Sequence, residues 1–206
     1  GIGAAVVRLA ARRGSAVGFS YLASRDDALA LESELAAEGA RIAAIRTDIR
    51  DPAAVGALFD AVQDRLGPPS GLVNNAGIQT GRMMIDELEL PAIRSIIDTN
   101  FIGSVLSVQE AARRMARRSG GPGGSIVNVS SMAAQTGGRG LSIYAASKAA
   151  LNTFTIAASR ELAEQGIRVN AVAPGVIATR MNPAHDSKWV QSVESTIPLK
   201  RLGPPE

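Results

Sequence analysis

A tyrosine and a lysine stand one helical turn apart in the segment Tyr144-Ala-Ala-Ser-Lys148, with Ser131 upstream of them. Residues at i and i+4 share one helix face, so a phenol and an ammonium at this spacing can point into one pocket. A phenol is a poor acid-base group at neutral pH, because its reference pKa is about 10. Lowering it to about 7 takes about 4 kcal/mol, at about 1.4 kcal/mol per unit. One cation about 4 Å away, at an effective dielectric of about 20, supplies that amount. The pair is therefore physically sufficient to make a general acid-base from a tyrosine. The same spacing also arises by chance in ordinary helices, so the surroundings must decide.

Ser131 closes the run Ser125-Ile126-Val127-Asn128-Val129-Ser130-Ser131, which reads as a buried parallel strand ending in hydroxyls. In open α/β sheets the ligand crevice lies beyond the carboxyl ends of the strands. Asn74-Asn75-Ala76-Gly77 follows another apolar stub, Gly71-Leu72-Val73. Pro174-Gly175-Val176-Ile177-Ala178-Thr179 follows a third strand, over 168–173. Asn100 sits inside a helical stretch that disfavours it.

The elements that must position these groups alternate strand and helix. Helices are expected over 3–13, 25–38, from Pro52 to near Gly67, over 91–118 and from Tyr144 to about 165. Asp51-Pro52 reads as an N-cap followed by proline at the first helical position. Strands are expected over 16–21, 41–47, 71–74, 125–130 and 167–173. Such alternation implies an α/β fold: a doubly wound parallel sheet of Rossmann type with helices on both faces, in one domain spanning 1–206.

Composition narrows the function. The chain has 206 residues, 46% of them hydrophobic, and a net charge of only +3. Arginines are scattered rather than clustered with aromatics, which make up 3%, a pattern that argues against nucleic acid as partner. No apolar run reaches the roughly 20 residues needed to span a bilayer, and no secretory signal is visible. Absence of cysteine excludes disulfides and suits a cytoplasmic address, and a single histidine disfavours a zinc site built by the protein.

With these motifs in this order, the chain resembles the classical short-chain dehydrogenase/reductases over essentially its whole length. The resemblance implies an oxidoreductase that moves hydride between a nicotinamide cofactor and a carbonyl or secondary alcohol. It implies a catalytic set of Asn100, Ser131, Tyr144 and Lys148: the tyrosine as acid-base, the serine orienting the substrate oxygen, the lysine lowering the tyrosine pKa and holding the ribose, and the asparagine placing a water. For Asn100, a buried amide that merely satisfies its neighbours is the plain alternative.

Gly1-Ile2-Gly3 would close the phosphate turn, with the pyrophosphate on the following helix N-terminus. An acid for the ribose 2′-hydroxyl is expected about 20 residues later. That place reads Tyr21-Leu22-Ala23-Ser24-Arg25, a hydroxyl beside a guanidinium, which favours NADP over NAD. Ser24 capping the helix, with Asp27 completing the pattern, is the alternative there. The resemblance places Asp48 and Ile49 at the adenine, and Asn75, Ala76 and Gly77 along the adenosine ribose. Pro174, Gly175, Ile177 and Thr179 would meet the nicotinamide end.

The resemblance also implies a homotetramer pairing through the helices over 91–118 and 144–165, with Ala111, Ala112, Ala149 and Ala157 permitting close approach. It implies a first strand and leading glycine before Gly1, and a helix and strand after Glu206; Pro204-Pro205-Glu206 reads as a first helical turn. Rival readings are an NAD-dependent sugar or polyol dehydrogenase, an enoyl-type reductase, a sugar-nucleotide epimerase and a non-catalytic dinucleotide sensor. Met132, Ala133, Gln135, Val176, Met181 and Trp189 form a mostly uncharged expected substrate lining, and His185 reads as surface or as substrate cover.

Overall fold

A computed structural model describes residues 1–182 and 187–206, so the expectation for His185 lies outside the described residues. The chain begins on helix α1 (Ile2–Arg12) and continues through β1 (Val17–Tyr21), α2 (Arg25–Ala37) and β2 (Ile42–Arg46). Then come α3 (Pro52–Leu66), β3 (Gly71–Asn74), α4 (Leu90–Ile97) and α5 (Gly103–Met115). The remainder comprises β4 (Gly124–Val129), α6 (Ala133–Thr136), α7 (Ser142–Leu162), β5 (Ile167–Val172) and α8 (Ser187–Thr196).

Every ladder among the described residues is parallel. β1 pairs with β2 from Val17 opposite Ile42 to Tyr21 opposite Arg46. β4 is flanked by β3 and β5, with Asn74 opposite Asn128 and Gly124 opposite Ile167. No ladder joins β1 to β3, so the expected sheet is two parallel pieces. Parallel direction brings the carboxyl ends of β3, β4 and β5 together, and those of β1 and β2 likewise, and a ligand crevice in such a sheet lies at those ends.

Packing explains the rest. α3, α5 and α7 close over β3–β5 around Val55, Phe59, Met115, Ile126, Leu162 and Ile167. A second apolar cluster, Val7, Ala11, Leu31 and Leu35, packs α1 and α2 against β1 and β2. Buried amides knit the larger layer: Asn74 Nδ2 donates to Asn128 Oδ1 at 2.9 Å, and Asn128 Nδ2 donates to Thr155 Oγ1 at 2.8 Å. That chain of bonds ties β3 to β4 and β4 to α7. Asp51 caps α3 as expected, accepting from Ala53 N at 2.9 Å with Pro52 behind it. No described helix is long and apolar enough to cross a membrane.

Four expectations need correction. The single helix over 91–118 is broken: a π-helical turn, Asp98–Ile102, separates α4 from α5, and α5 stops at Met115. Ala116 turns extended there, while Gly123 N and Gly121 N bond the Met115 and Ala116 carbonyls that a longer helix would have used. Residues 204–206 form no helix. Ser24 makes no side-chain capping bond to α2, and Asp27 is drawn instead to Arg180. Ala111 is fully buried in this chain's own core, so it offers no surface to a partner helix, whereas Ala157 is exposed.

Candidate active site

Tyr144 and Lys148 lie in the first two turns of α7, at the carboxyl end of β4. Tyr144 is half-buried, and Lys148 is 4% exposed. The Lys148 ammonium lies 6.0 Å from the centre of the Tyr144 ring and donates to Val129 O at 2.8 Å. Burial pushes this ammonium down from the ordinary 10.5 to about 8, because the charged form has given up its water. It still carries its proton at neutral pH, so a cation stands beside the phenol.

Ser131 follows β4 directly, and its loop is held on both sides. Ser130 N donates to Val172 O and Met132 N to Pro174 O, which extends the β4–β5 pairing past the strand ends. Ser131 Oγ accepts from Ala133 N at 3.1 Å, leaving the hydroxyl proton available. Strand extension therefore fixes Ser131 and the Pro174 loop in register with one another.

Asn100 is fully buried on the π-helical turn. Its Oδ1 accepts from Ile78 N at 2.7 Å, and its Nδ2 donates to Ile78 O at 3.0 Å and Ser147 Oγ at 3.1 Å. Both amide donors are thus spent on protein partners, with one lone pair of Oδ1 left over. Ser147 Oγ in turn donates to Tyr144 O at 2.7 Å, so Asn100 and the first turn of α7 are coupled. A Cβ built on Gly77 would sit 3.3 Å from both Asn100 Oδ1 and Lys148 Nζ. The missing side chain keeps a polar gap open between those two atoms.

On the other side of the strand ends, α1 opens with Gly1, with neither a capping side chain nor an acid in its first turn. A helix start without an acid in its first turn suits an anion. Gly3 is required for a local reason too: a Cβ there would lie 2.5 Å from Asn75 Nδ2. Glycine thus lets the helix start press against the Asn75-Ala76-Gly77 turn. Tyr21 ends β1, and Ser24 and Arg25 are exposed at the start of α2, with no ion pair to Arg25 among the described residues. A helix start without an acid, a close glycine turn and a guanidinium with no ion pair among the described residues fit a dinucleotide carrying an extra phosphate.

The remaining expected contacts are placed as follows. Asp48 is clasped by Arg50, with Nη2 to Oδ2 at 2.6 Å, and that guanidinium holds its carboxyl below the usual range. Ile49 turns inward, since a Cβ on Gly103 would come within 2.7 Å of its Cδ1. Pro174 and Gly175 follow β5, and Ile177 bridges to Gly203. Thr179 reaches back to the phosphate turn: a Cβ on Gly1 would be 3.4 Å from its Cγ2. Of the expected substrate lining, Met132 and Met181 are exposed at 42% and 44%, and Trp189 stands on α8.

Sequence reasoning missed three features. Gln79, Met83, Leu88, Leu141 and Ile143 line a small recess against Tyr144, joined by Met83 N to Gly140 O. Ser147 escaped notice, although a hydroxyl three residues after Tyr144 on a helix is a known back-bonding position. The Arg180–Asp27 pair had no signal at all, because its members lie far apart in the chain.

Comparison with known proteins gives the family. The family described as short chain dehydrogenase matches residues 1–189. An uncharacterized oxidoreductase of Escherichia coli, YgfF, is 39% identical over 208 residues, covering 100% of this chain and 84% of that protein. The 3-oxoacyl-[acyl-carrier-protein] reductase FabG of Staphylococcus aureus is 34% identical, covering 98% of this chain and 81% of that one. A short chain dehydrogenase from Burkholderia cenocepacia, solved in complex with NADP, superposes with a TM-score of 0.92 at 36% identity, covering 100% of this chain and 81% of that one. The chain therefore belongs to the classical short-chain dehydrogenase/reductase family and is an oxidoreductase of alcohols and carbonyl compounds.

Proposed function

We propose that this chain is an NADP(H)-dependent oxidoreductase in which Tyr144 exchanges the proton and Ser131, Lys148 and Asn100 support it. The observation that carries the reading is the buried Lys148 ammonium, 6.0 Å from the Tyr144 ring on one face of α7, at the end of β4, the strand that leads into Ser131. The bound nicotinamide supplies the hydride chemistry. Tyr144 gives its proton to the substrate oxygen in reduction and recovers it in oxidation. Ser131 Oγ donates to that same oxygen and orients it. Lys148 sets a positive charge beside the phenol and holds ribose hydroxyls. Asn100 Oδ1 and Lys148 Nζ border the gap over Gly77, the route by which the lysine exchanges its proton with solvent.

Gly1, Ile2 and Gly3 receive the pyrophosphate at the start of α1, and Asn75, Ala76 and Gly77 flank the adenosine ribose. Asp48 and the backbone of Ile49 border the adenine, while Pro174, Gly175, Ile177 and Thr179 hold the nicotinamide end. Tyr21 closes β1 without an acid, and Ser24 and Arg25 receive the 2′-phosphate. The NADP bound in the similar Burkholderia structure supports that choice. Assembly is a homotetramer, and Ile156, 55% exposed on α7, together with exposed Ala157, supports a helix-on-helix contact.

The test is turnover of the full-length protein with NADPH and NADH across 3-oxoacyl thioesters, polyols with their ketoses, and small ketones. Activity with at least one class and a preference for NADPH is expected. A preference for NADH would overturn the cofactor assignment.

A further inference from the structure

Arg180 and Asp27 come from opposite ends of the chain, yet Arg180 Nη1 donates to Asp27 Oδ2 at 2.7 Å. Asp27 belongs to the first turn of α2, where Asp26, Arg25 and Ser24 precede it. Arg180 belongs to a turn over 179–182 after β5, closed by Asn182 N to Thr179 O at 3.0 Å. On its other side the same turn leans on the phosphate turn, through Thr179 against Gly1. The ion pair therefore spans from the pyrophosphate end of the crevice to the end of β1, across the place the adenosine half of a dinucleotide would occupy.

Three properties of this pair speak against a structural brace. Arg180 and Asp27 side chains are 80% and 56% exposed, and pairs so open to water contribute between nothing and about 1 kcal/mol. The arginine makes this one ion pair among the described residues, with an aspartate that could instead have stayed solvated. Asp27 is also within one helical turn of Ser24, so a guanidinium that reaches Oδ2 of Asp27 needs only a rotamer change to reach an anion at Ser24 and Arg25. A phosphate there, with about two charges and three acceptor oxygens, outcompetes a single exposed carboxylate for a planar guanidinium.

Resting on the NADP reading above, we propose that Arg180 is a second 2′-phosphate ligand, held in waiting by Asp27 and handed to the cofactor when it binds. Arg25 approaches the phosphate from α2, and Arg180 approaches from the loop after β5. The exchange also fastens that loop, which leads to Met181 and α8, to the bound cofactor. Asp27 then acts as a competitor: it lowers cofactor affinity while keeping Arg180 at the mouth of the site.

The two partners of one ion pair should consequently shift affinity in opposite directions. Dissociation constants for NADPH and NADH are measured by calorimetry or by cofactor fluorescence on the full-length protein, without substrate. R180Q should raise the NADPH constant about tenfold and leave that for NADH within about twofold. D27N should lower the NADPH constant about threefold, because it removes the competitor and a repulsive charge. Both side chains are exposed, and circular dichroism of each variant confirms the fold. If both variants weaken NADPH, the pair is a brace and the proposal fails. If R180Q weakens NADPH and NADH equally, Arg180 serves a shared part of the cofactor, and the assignment fails. Wild-type protein that prefers NADH overturns the cofactor reading itself, whereas a wild-type preference for NADPH with no change in R180Q overturns this inference alone.

Discussion

Replacing Lys148 with methionine should make the cofactor-free protein more stable at neutral pH and less stable in alkali. Lys148 is 4% exposed, its ammonium donates to Val129 O among the described residues, and burial lowers it from 10.5 to about 8. The folded state thus binds the proton less well than the unfolded state does. Below pH 8 both states are protonated, and the folded state bears the full penalty of about 3 kcal/mol, at about 1.4 kcal/mol per unit. Between about 8 and 10.5 the unfolded chain holds more protons, so wild-type stability gains with rising pH until the penalty is gone. Methionine fills similar space with no charge but forfeits the bond to Val129 O, which costs about 1 kcal/mol. K148M should therefore be about 2 kcal/mol more stable than wild type at pH 7 and about 1 kcal/mol less stable above pH 10.5. Urea denaturation of both proteins at pH 7, 8, 9 and 10.5 measures the difference, in which titrating groups remote from Lys148 cancel. A difference that stays constant with pH, or a K148M protein that is weaker throughout, would refute this account of the buried ammonium.

Three further outcomes follow from the geometry. Gly3→Ala would set a methyl 2.5 Å from Asn75 Nδ2, so the asparagine must move; NADPH affinity should fall about tenfold or more, and calorimetry checks it. Asn128→Ala deletes bonds to Asn74 and Thr155 and opens a cavity at a fully buried position. It should cost about 3 kcal/mol in urea denaturation, and a loss under about 1 kcal/mol would mean that the amide network adds little. Light scattering on the full-length protein should give four copies, and a monomer would contradict the proposed helix-on-helix assembly.

Local chemistry made much of the fold legible. Asp51-Pro52 announced the start of α3 because a carboxylate acceptor and a residue without an N–H suit those two positions, and the structure uses both. The apolar stretches ending at Asn74 and Ser130 marked the ends of β3 and β4, since a strand of a covered parallel sheet stays largely apolar until it reaches the crevice. The break at Asp98–Ile102 was hidden, because a π turn answers to the Ile78 backbone that Asn100 must meet, a contact across the fold. Ala111 was expected to let a partner helix approach, but helix faces are assigned by what packs on them, and α5 turns that residue inward. Asp27 read as a capping residue, and the partner that claims it arrives only when β5 brings Arg180 round.

The central claim is that Tyr144 carries the proton, and Tyr144→Phe tests it most directly. The substitution keeps the half-buried ring on α7 and removes only the hydroxyl. Turnover of the best substrate found should fall by about 10²-fold or more, with the NADPH dissociation constant within about twofold of wild type. A Tyr144→Phe protein that keeps most of its turnover would show that the phenol is structural, and the proposed mechanism would be wrong.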